Sequence, residues 1–181
     1  MVEIKGNFGK KEVRIAGGHV EIGDIEKILK DIEETDDEFG TTSQIFNASR
    51  IAGRNHLLQA SKLALEALEN KNSFADSPRI ELTCWAAGLR QINKALPRVG
   101  IQEGKNDVVI LTIGENRQIV KKTQEKLFET LGIEENEKVP EIDDEKREEI
   151  ADSFSISENQ LEVASLEELV LEKVALLSLD Q

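Results

Sequence analysis

Between Asn47 and Arg98 the chain sets eight basic side chains (Arg50, Arg54, Lys62, Lys71, Arg79, Arg90, Lys94 and Arg98) against four acidic ones (Glu66, Glu69, Asp76 and Glu81). The local balance is +4 in a 181-residue chain of net charge −13, which leaves −17 for the remainder. A basic island on an acidic body suits one particular anion, since generic binding of long polyanions needs a broad positive surface. Within the island, "ELTCWAAGLRQINKAL", Glu81 to Leu96, holds the only Trp and the only Cys of the chain. It also places Arg90 just after Gly88, where a strand is expected to give way to a helix. An arginine in the first turn of a helix faces the positive end of the macrodipole, disfavoured by roughly 0.3–1 kcal/mol unless an anion shares the site. Arg90 with the free backbone N–H groups of Leu89 to Ile92 is therefore a candidate anion site.

Other chemistry is sparse. His56 has the pKa of a general base, but beside Arg54 at a helix start it reads more simply as a capping or packing histidine. One cysteine excludes an internal disulfide and a Cys-cluster zinc site, and two widely separated histidines argue against a His-based metal centre. Cys84 reads as a buried thiol, and Trp85 as a side chain packed under a helix rather than a stacking platform. The chain has no Walker glycine loop, no His-Glu-x-x-His and no Gly-x-Ser-x-Gly, and the Gly17-Gly18 pair lacks the spacing of a dinucleotide fingerprint. No catalytic residue, metal or cofactor is assigned, and a binding protein is favoured over an enzyme. The alternative is an α/β domain that binds or transforms a small phosphorylated ligand through Arg90 and His56.

These side chains need a scaffold. "VEIKGNF" and "EVRIAGG" predict a hairpin around Gly9, and Ile25, Ile28, Leu29 and Ile32 predict a helix over Asp24 to Glu34. "DDEFGTTS" reads as a polar loop and "QIFNA" as a short strand. Arg54 to Asn70 reads as a strong helix, with Leu57, Leu58, Ser61, Ala64, Leu65 and Leu68 on one face. The loop "NKNSFADSP" ends that unit. In "RIELTCWAAG" the apolar Ile80, Leu82, Cys84 and Ala86 alternate with Glu81, Thr83 and Trp85, which predicts a strand. A helix from Leu89 to about Arg98, a central strand "DVVILTI" and a helix Asn116 to Leu131 ended by Gly132 follow. The sum is an α+β single domain with helices packed on a mixed sheet.

The last fifty residues differ in character. Glu134 to Glu149 holds nine acidic residues against three basic ones, a solvated segment that contains or precedes a helix. "SLEELVLEKVALLSL" opens with Ser165 and Glu168 at capping-box spacing. On a helical wheel Leu166, Leu169, Val170, Val174 and Leu177 share one face while Leu171 and Ala175 lie opposite. A helix apolar on two sides is internal or shared with a partner. No run reaches the ~18 apolar residues of a membrane helix, and "MVEIKGNFGKKEVRIAGG" lacks a signal peptide's hydrophobic region, so a soluble, cytoplasmic protein without membrane partners is expected.

"QIFNASRIAGRNHLLQASKLAL", "ELTCWAAGLRQINKAL", "VVILTIG" and "LVLEKVALLSL" together resemble, in order and spacing, the archaeal form of the small non-catalytic subunit of the KEOPS complex, the relative of the eukaryotic p53-regulating-kinase-binding protein. The resemblance covers about Gln44 to Leu179. It divides the single domain into N-terminal strands and helix (1–43), a βαβαβα core (44–132) and an acidic segment with the C-terminal helix (133–181). It implies a part in making threonylcarbamoyladenosine in tRNA: binding and stimulating the kinase-like ATPase subunit, and holding the single-stranded CCA 3′ end of tRNA. A local basic patch is compatible with one short single-stranded tail. The residues this implies for tRNA are Arg50, Arg54, His56, Lys62, Arg79, Gly88, Arg90, Gln91 and Lys94. Those implied for the partner are Leu166, Val170, Leu171, Lys173, Val174 and Leu177.

Overall fold

The computed structural model of the protein describes residues 1–179. The hairpin around Gly9 is present: β1 (Val2–Gly6) returns as the fourteen-residue β2 (Gly9–Ile22). After α1 (Ile25–Phe39) and β3 (Thr42–Asn47) come three helices in succession, α2 (Gly53–Glu69), α3 (Pro78–Ala87) and α4 (Ile92–Val99). Then follow β4 (Gly104–Gly114), α5 (Arg117–Leu131), a two-residue β5 (Glu134–Glu135), α6 (Asp144–Ser153), α7 (Glu158–Leu161) and α8 (Leu166–Leu176). The strands lie in the order β1-β2-β4-β3, with β5 paired to β2. The fold is α+β in a single domain, and every pairing among the described residues is antiparallel rather than mixed.

β4 explains the layering. Alternation sends Val108 and Ile110 to one face and Val109, Leu111 and Ile113 to the other. The first pair packs with Ile28 and Ile32 of α1 and Leu127 of α5. The second set packs with Leu57, Ala60 and Ala64 of α2, Trp85 of α3, and Val170 and Val174 of α8. A strand covered on both faces has no polar side to show, so it reads as a continuous apolar run.

Two segments depart from their expected form. The polar "DDEFGTTS" is loop only at Gly40 and Thr41, because Asp36 to Phe39 continue α1 until Gly40 turns left-handed at φ 66°, and Thr42 and Ser43 already belong to β3. Asp36 is buried and accepts from Thr41 Oγ1 (2.8 Å), Ser43 N (2.6 Å) and Ser43 Oγ (2.8 Å), which fixes the turn into β3. The second segment, "RIELTCWAAG", is the helix α3 and not a strand. Pro78 occupies its first turn and Gly88 closes it at φ 61°. Glu81 to Ala87 are all buried, so the helix has no polar face from which a period of 3.6 could be read. Its partners α2, α4, β3 and α8 surround it. The core over 44–132 is thus β3-α2-α3-α4-β4-α5, not three βα repeats, and the triple-helix connection returns β4 antiparallel to β3.

The C-terminal part is as its sequence suggests. Asp143 caps α6 by accepting from Lys146 N at 2.9 Å. Lys146 itself is buried and donates from Nζ to the carbonyls of Val139 and Glu141. Ser165 and Glu168 form the capping box that starts α8. Gly17 and Gly18 find their reason here too: Cβ atoms would run into Val139 and into the Glu134 carbonyl, so the chain after α5 can cross β2 only over glycine.

Candidate functional site

The turn between α3 and α4 is built from the inside out. Glu81 on α3 is fully buried, and its Oε2 accepts from the backbone N–H groups of Phe74 (2.8 Å) and Ala75 (2.9 Å). Its Oε1 accepts from Trp85 Nε1 at 2.8 Å. Burial pushes the Glu81 carboxyl above the ordinary carboxylate range, against the pull of these three N–H groups. The loop that follows α2 is thereby pinned to α3. Phe74, which it carries, lies 5.3 Å from the Trp85 ring, centroid to centroid, and the Arg90 guanidinium sits over the Phe74 ring at 5.2 Å. Cys84, a buried thiol as expected, donates to the Arg90 carbonyl at 3.7 Å, and burial pushes it up to about 11.

α4 begins at Ile92 with Gln91 as its N-cap, so Arg90 stands just before the helix rather than in its first turn, and Pro97 lies inside the helix instead of ending it. The first-turn argument therefore does not apply as stated, and the expected set of free N–H groups is shorter, because Leu89 N donates to the Cys84 carbonyl at 3.0 Å. Gln91 makes no side-chain capping bond. Arg90 and Lys94 are exposed and pair with no carboxylate among the described residues.

The other predicted tRNA residues separate into distinct environments. Arg54 is a structural clamp: Nη1 donates to Ile15 O (2.5 Å), Nη2 to Glu137 O (2.9 Å), and Nε pairs with Glu141 (2.7 Å). It fills the edge of β2 between β1 and β5. Arg50 pairs with Glu149 at 2.5 Å, Arg79 with Glu33 at 3.3 Å, and Lys62 with Glu66 at 4.0 Å. Carboxylates from other elements therefore offset Arg50, Arg54 and Arg79, and Glu66 on the same helix faces Lys62. Lys71, Arg90, Lys94 and Arg98 make no ion pair among the described residues, and of these Arg98 is spent on the Ala87 carbonyl and the Phe154 ring. Gly88 lies against α8, where a Cβ would stand 3.6 Å from the Lys173 carbonyl.

His56 is no ligand for a solvent-borne group. It is fully buried, its Nδ1 accepts from Ala52 N at 3.1 Å, and its Nε2 donates to Ala86 O at 2.7 Å. Burial holds its pKa down at about 4, opposed only by the Ala86 carbonyl. Both ring nitrogens are spent on backbone, which removes His56 from the tRNA set and removes the base from the small-ligand alternative.

Beside the Arg90 turn runs an apolar groove of about 510 Å³. Leu29 of α1, Ile80 of α3, and Ile92 and Leu96 of α4 give its apolar lining, Glu26, Lys30, Glu33 and Arg79 line it as well, and Gln44, also in the lining, donates to Thr83 Oγ1 at 2.9 Å. Leu96 is 48% exposed, unusual for a leucine beside a core. A larger cleft of about 950 Å³ lies against α6, but Glu21, Asp107, Glu134, Asp143, Glu145 and Glu149 line it and would repel a phosphate. Phe74 and the groove were not visible in the sequence. The lone aromatic in an otherwise polar loop was the signal for Phe74, and no local pattern marks a groove assembled from α1, α3 and α4.

α8 has two sides. Leu166, Val170, Val174 and Leu177, four of the six residues expected at a partner, are buried in the chain's own core and cannot meet another protein. Leu171 and Lys173 remain partly accessible, and the Leu171 carbonyl accepts from Gln59 Nε2 at 2.7 Å. The outward apolar groups are instead Ala175, Leu176 (47% exposed) and Leu179 (75% exposed).

A family model described as "Kinase binding protein CGI-121" matches residues 20–178. The chain belongs to the CGI-121 family. A curated relative, "Regulatory protein Cgi121" of Methanocaldococcus jannaschii, is 31% identical over 140 residues, covering 77% of this chain and 86% of that protein. The CGI-121 match starts inside β2 and takes in both surfaces described above, the α3–α4 turn and α8. β1 and most of β2 lie outside it, in the N-terminal region that the resemblance also leaves aside. No helix among the described residues is long and apolar enough to cross a membrane.

Proposed function

We propose that this CGI-121 family member is the non-catalytic regulatory subunit of a KEOPS-type complex that forms threonylcarbamoyladenosine in cytoplasmic tRNA. It docks on the kinase-like ATPase through the outward side of α8 and holds the single-stranded CCA end at the α3–α4 turn. It requires no cofactor of its own. The observation that carries the reading is the division of α8, whose inner stripe is fully committed to the core while Leu176 and Leu179 stay exposed beside it. The family's description as kinase binding and the relative's as regulatory give that exposed stripe an occupant.

The tail reading rests on separate features. Arg90 and Lys94 lack carboxylate partners among the described residues, and the start of α4 directs backbone N–H groups to the same side. The neighbouring groove offers apolar walls against which unstacked bases can lie. Single-strand recognition combines these two elements, cations for the backbone and flat apolar surface for the bases. The surface is small, as suits a tail of a few nucleotides. Gel shifts with intact tRNA and with tRNA lacking its CCA test the tail half, and co-purification with the kinase-like ATPase tests the α8 half. Equal shifts with both tRNAs would refute the first, and co-purification undiminished by Leu176→Glu the second.

A further inference from the structure

A carboxylate buried in the core is costly unless donors replace its water. Glu81 is fully buried and has no cationic partner among the described residues, only the N–H groups of Phe74, Ala75 and Trp85. Two of the three belong to the backbone of the connection between α2 and α3. The carboxylate therefore does more than fill space under Trp85, since two of its three bonds go to that connection. What it fixes is the place of Phe74, whose ring contacts both Trp85 (5.3 Å) and the guanidinium of Arg90 (5.2 Å). Arg90 in turn has no carboxylate to orient it, and the ring is its one described side-chain contact.

We propose that Glu81 is a positioning residue for Arg90: by pinning the Phe74 backbone it holds the guanidinium flat over the ring, with its N–H edge turned outward for an anion. The proposal rests on the tail reading for the identity of that anion, a nucleic-acid phosphate or base. The chain Glu81 to Phe74 to Arg90 converts a core charge into a preset plane at the surface. Preset donors bind more tightly than mobile ones because less side-chain freedom is lost on binding.

Glu81→Gln keeps the shape but offers one acceptor oxygen where two are used, so either the loop bonds or the Trp85 bond must break. Its fold is checked by circular dichroism. In the wild-type protein the Arg90 Nε–H resonance is expected upfield, shifted by the Phe74 ring current, and in Glu81→Gln that shift is expected to vanish. Affinity for CCA-bearing tRNA is expected to fall roughly tenfold, the scale of one lost stacking or phosphate contact. The double variant Glu81→Gln/Arg90→Ala is expected to bind no more weakly than Arg90→Ala alone, as befits a residue that acts through the other. Phe74→Leu leaves the three Glu81 bonds in place, removes only the ring, and is expected to lose the same affinity even if Glu81→Gln does not fold. A folded Glu81→Gln that retains the ring-current shift, losses that add in the double variant, or a Phe74→Leu that binds as the wild type would each overturn the proposal. If the wild-type protein does not prefer CCA-bearing tRNA, the tail reading falls, and the ring-current comparison still decides whether Glu81 sets Arg90.

Discussion

At the scale of single residues, the cations of this chain divide into those bound into the fold and those left without a carboxylate among the described residues. Arg54 belongs to the first kind. Arg54→Ala removes bonds to two carbonyls and a carboxylate, and chemical denaturation should show a loss of about 1–3 kcal/mol, with no change in affinity for tRNA once the protein is folded. Arg90 is of the second kind. Arg90→Glu should leave the denaturation midpoint nearly unmoved and weaken tRNA binding. The slope of log affinity against log salt should become shallower by roughly 0.7, the value for one phosphate contact on a single strand. His56 gives a pH dependence. Its folded-state pKa of about 4 lies below the usual value near 6.5, so the unfolded chain takes up the proton first as pH falls. The stabilisation is complete above pH 6.5 and is lost on the way down to about 4, up to about 3 kcal/mol at ~1.4 kcal/mol per pKa unit. Unfolding measured across that window should show the advantage of wild type over His56→Gln shrinking with acid; a constant difference would mean that His56 is not buried neutral.

At the scale of elements, α8 yields the sharpest contrast. Leu169 is 6% exposed and packs in the core, so Leu169→Ala should cost ~2–5 kcal/mol in thermal or chemical unfolding. Leu176 is 47% exposed, and Leu176→Glu should change stability by less than about 0.5 kcal/mol while preventing co-purification with the kinase-like ATPase. The wheel separated two sides of this helix correctly, yet it could not say which side the core would take. Hydrophobic pattern names the stripe, and only the neighbours of the stripe decide its use. α3 shows the opposite difficulty. Its apolar residues happen to alternate, and because the helix is enclosed from Glu81 to Ala87, the polar residues Glu81 and Thr83 are buried too. The punctuation was the better guide: a Ser77-Pro78 start and a Gly88 end mark a helix of ten residues. Where one face meets solvent, as in α2, the boundaries were legible, but the buried face is turned from the expected one: it takes His56, Ala60 and Ala67 with Leu57, Ser61 and Ala64 and leaves Leu58, Leu65 and Leu68 half-buried.

At the scale of the whole molecule, the first hairpin, β3, β4, the C-terminal helix and the family were legible from sequence patterns, whereas the wholly antiparallel pairing, β5 and the helical α3 were not. The candidate surfaces were legible only in part. The +4 island dissolves once Arg50 finds Glu149, Arg54 finds Glu141 and Arg79 finds Glu33, carboxylates from 46 to 99 residues away in sequence. The long-range pairing that spends those cations is invisible in a count of charges. Arg90 remains because no acidic residue among those described reaches it. On the proposed reading, α8 faces the kinase and the α3–α4 turn faces the tail; the two approach each other at Gly88 and Lys173 but present different outward groups. The most direct test immobilises the kinase-like ATPase and measures how much tRNA this chain causes it to retain. If the two surfaces are used as described, CCA-bearing tRNA is retained, tRNA without CCA is not, and Leu176→Glu abolishes retention while still shifting free tRNA in a gel. Equal retention of both tRNAs, or retention undiminished by Leu176→Glu, would contradict the assignment of the two surfaces.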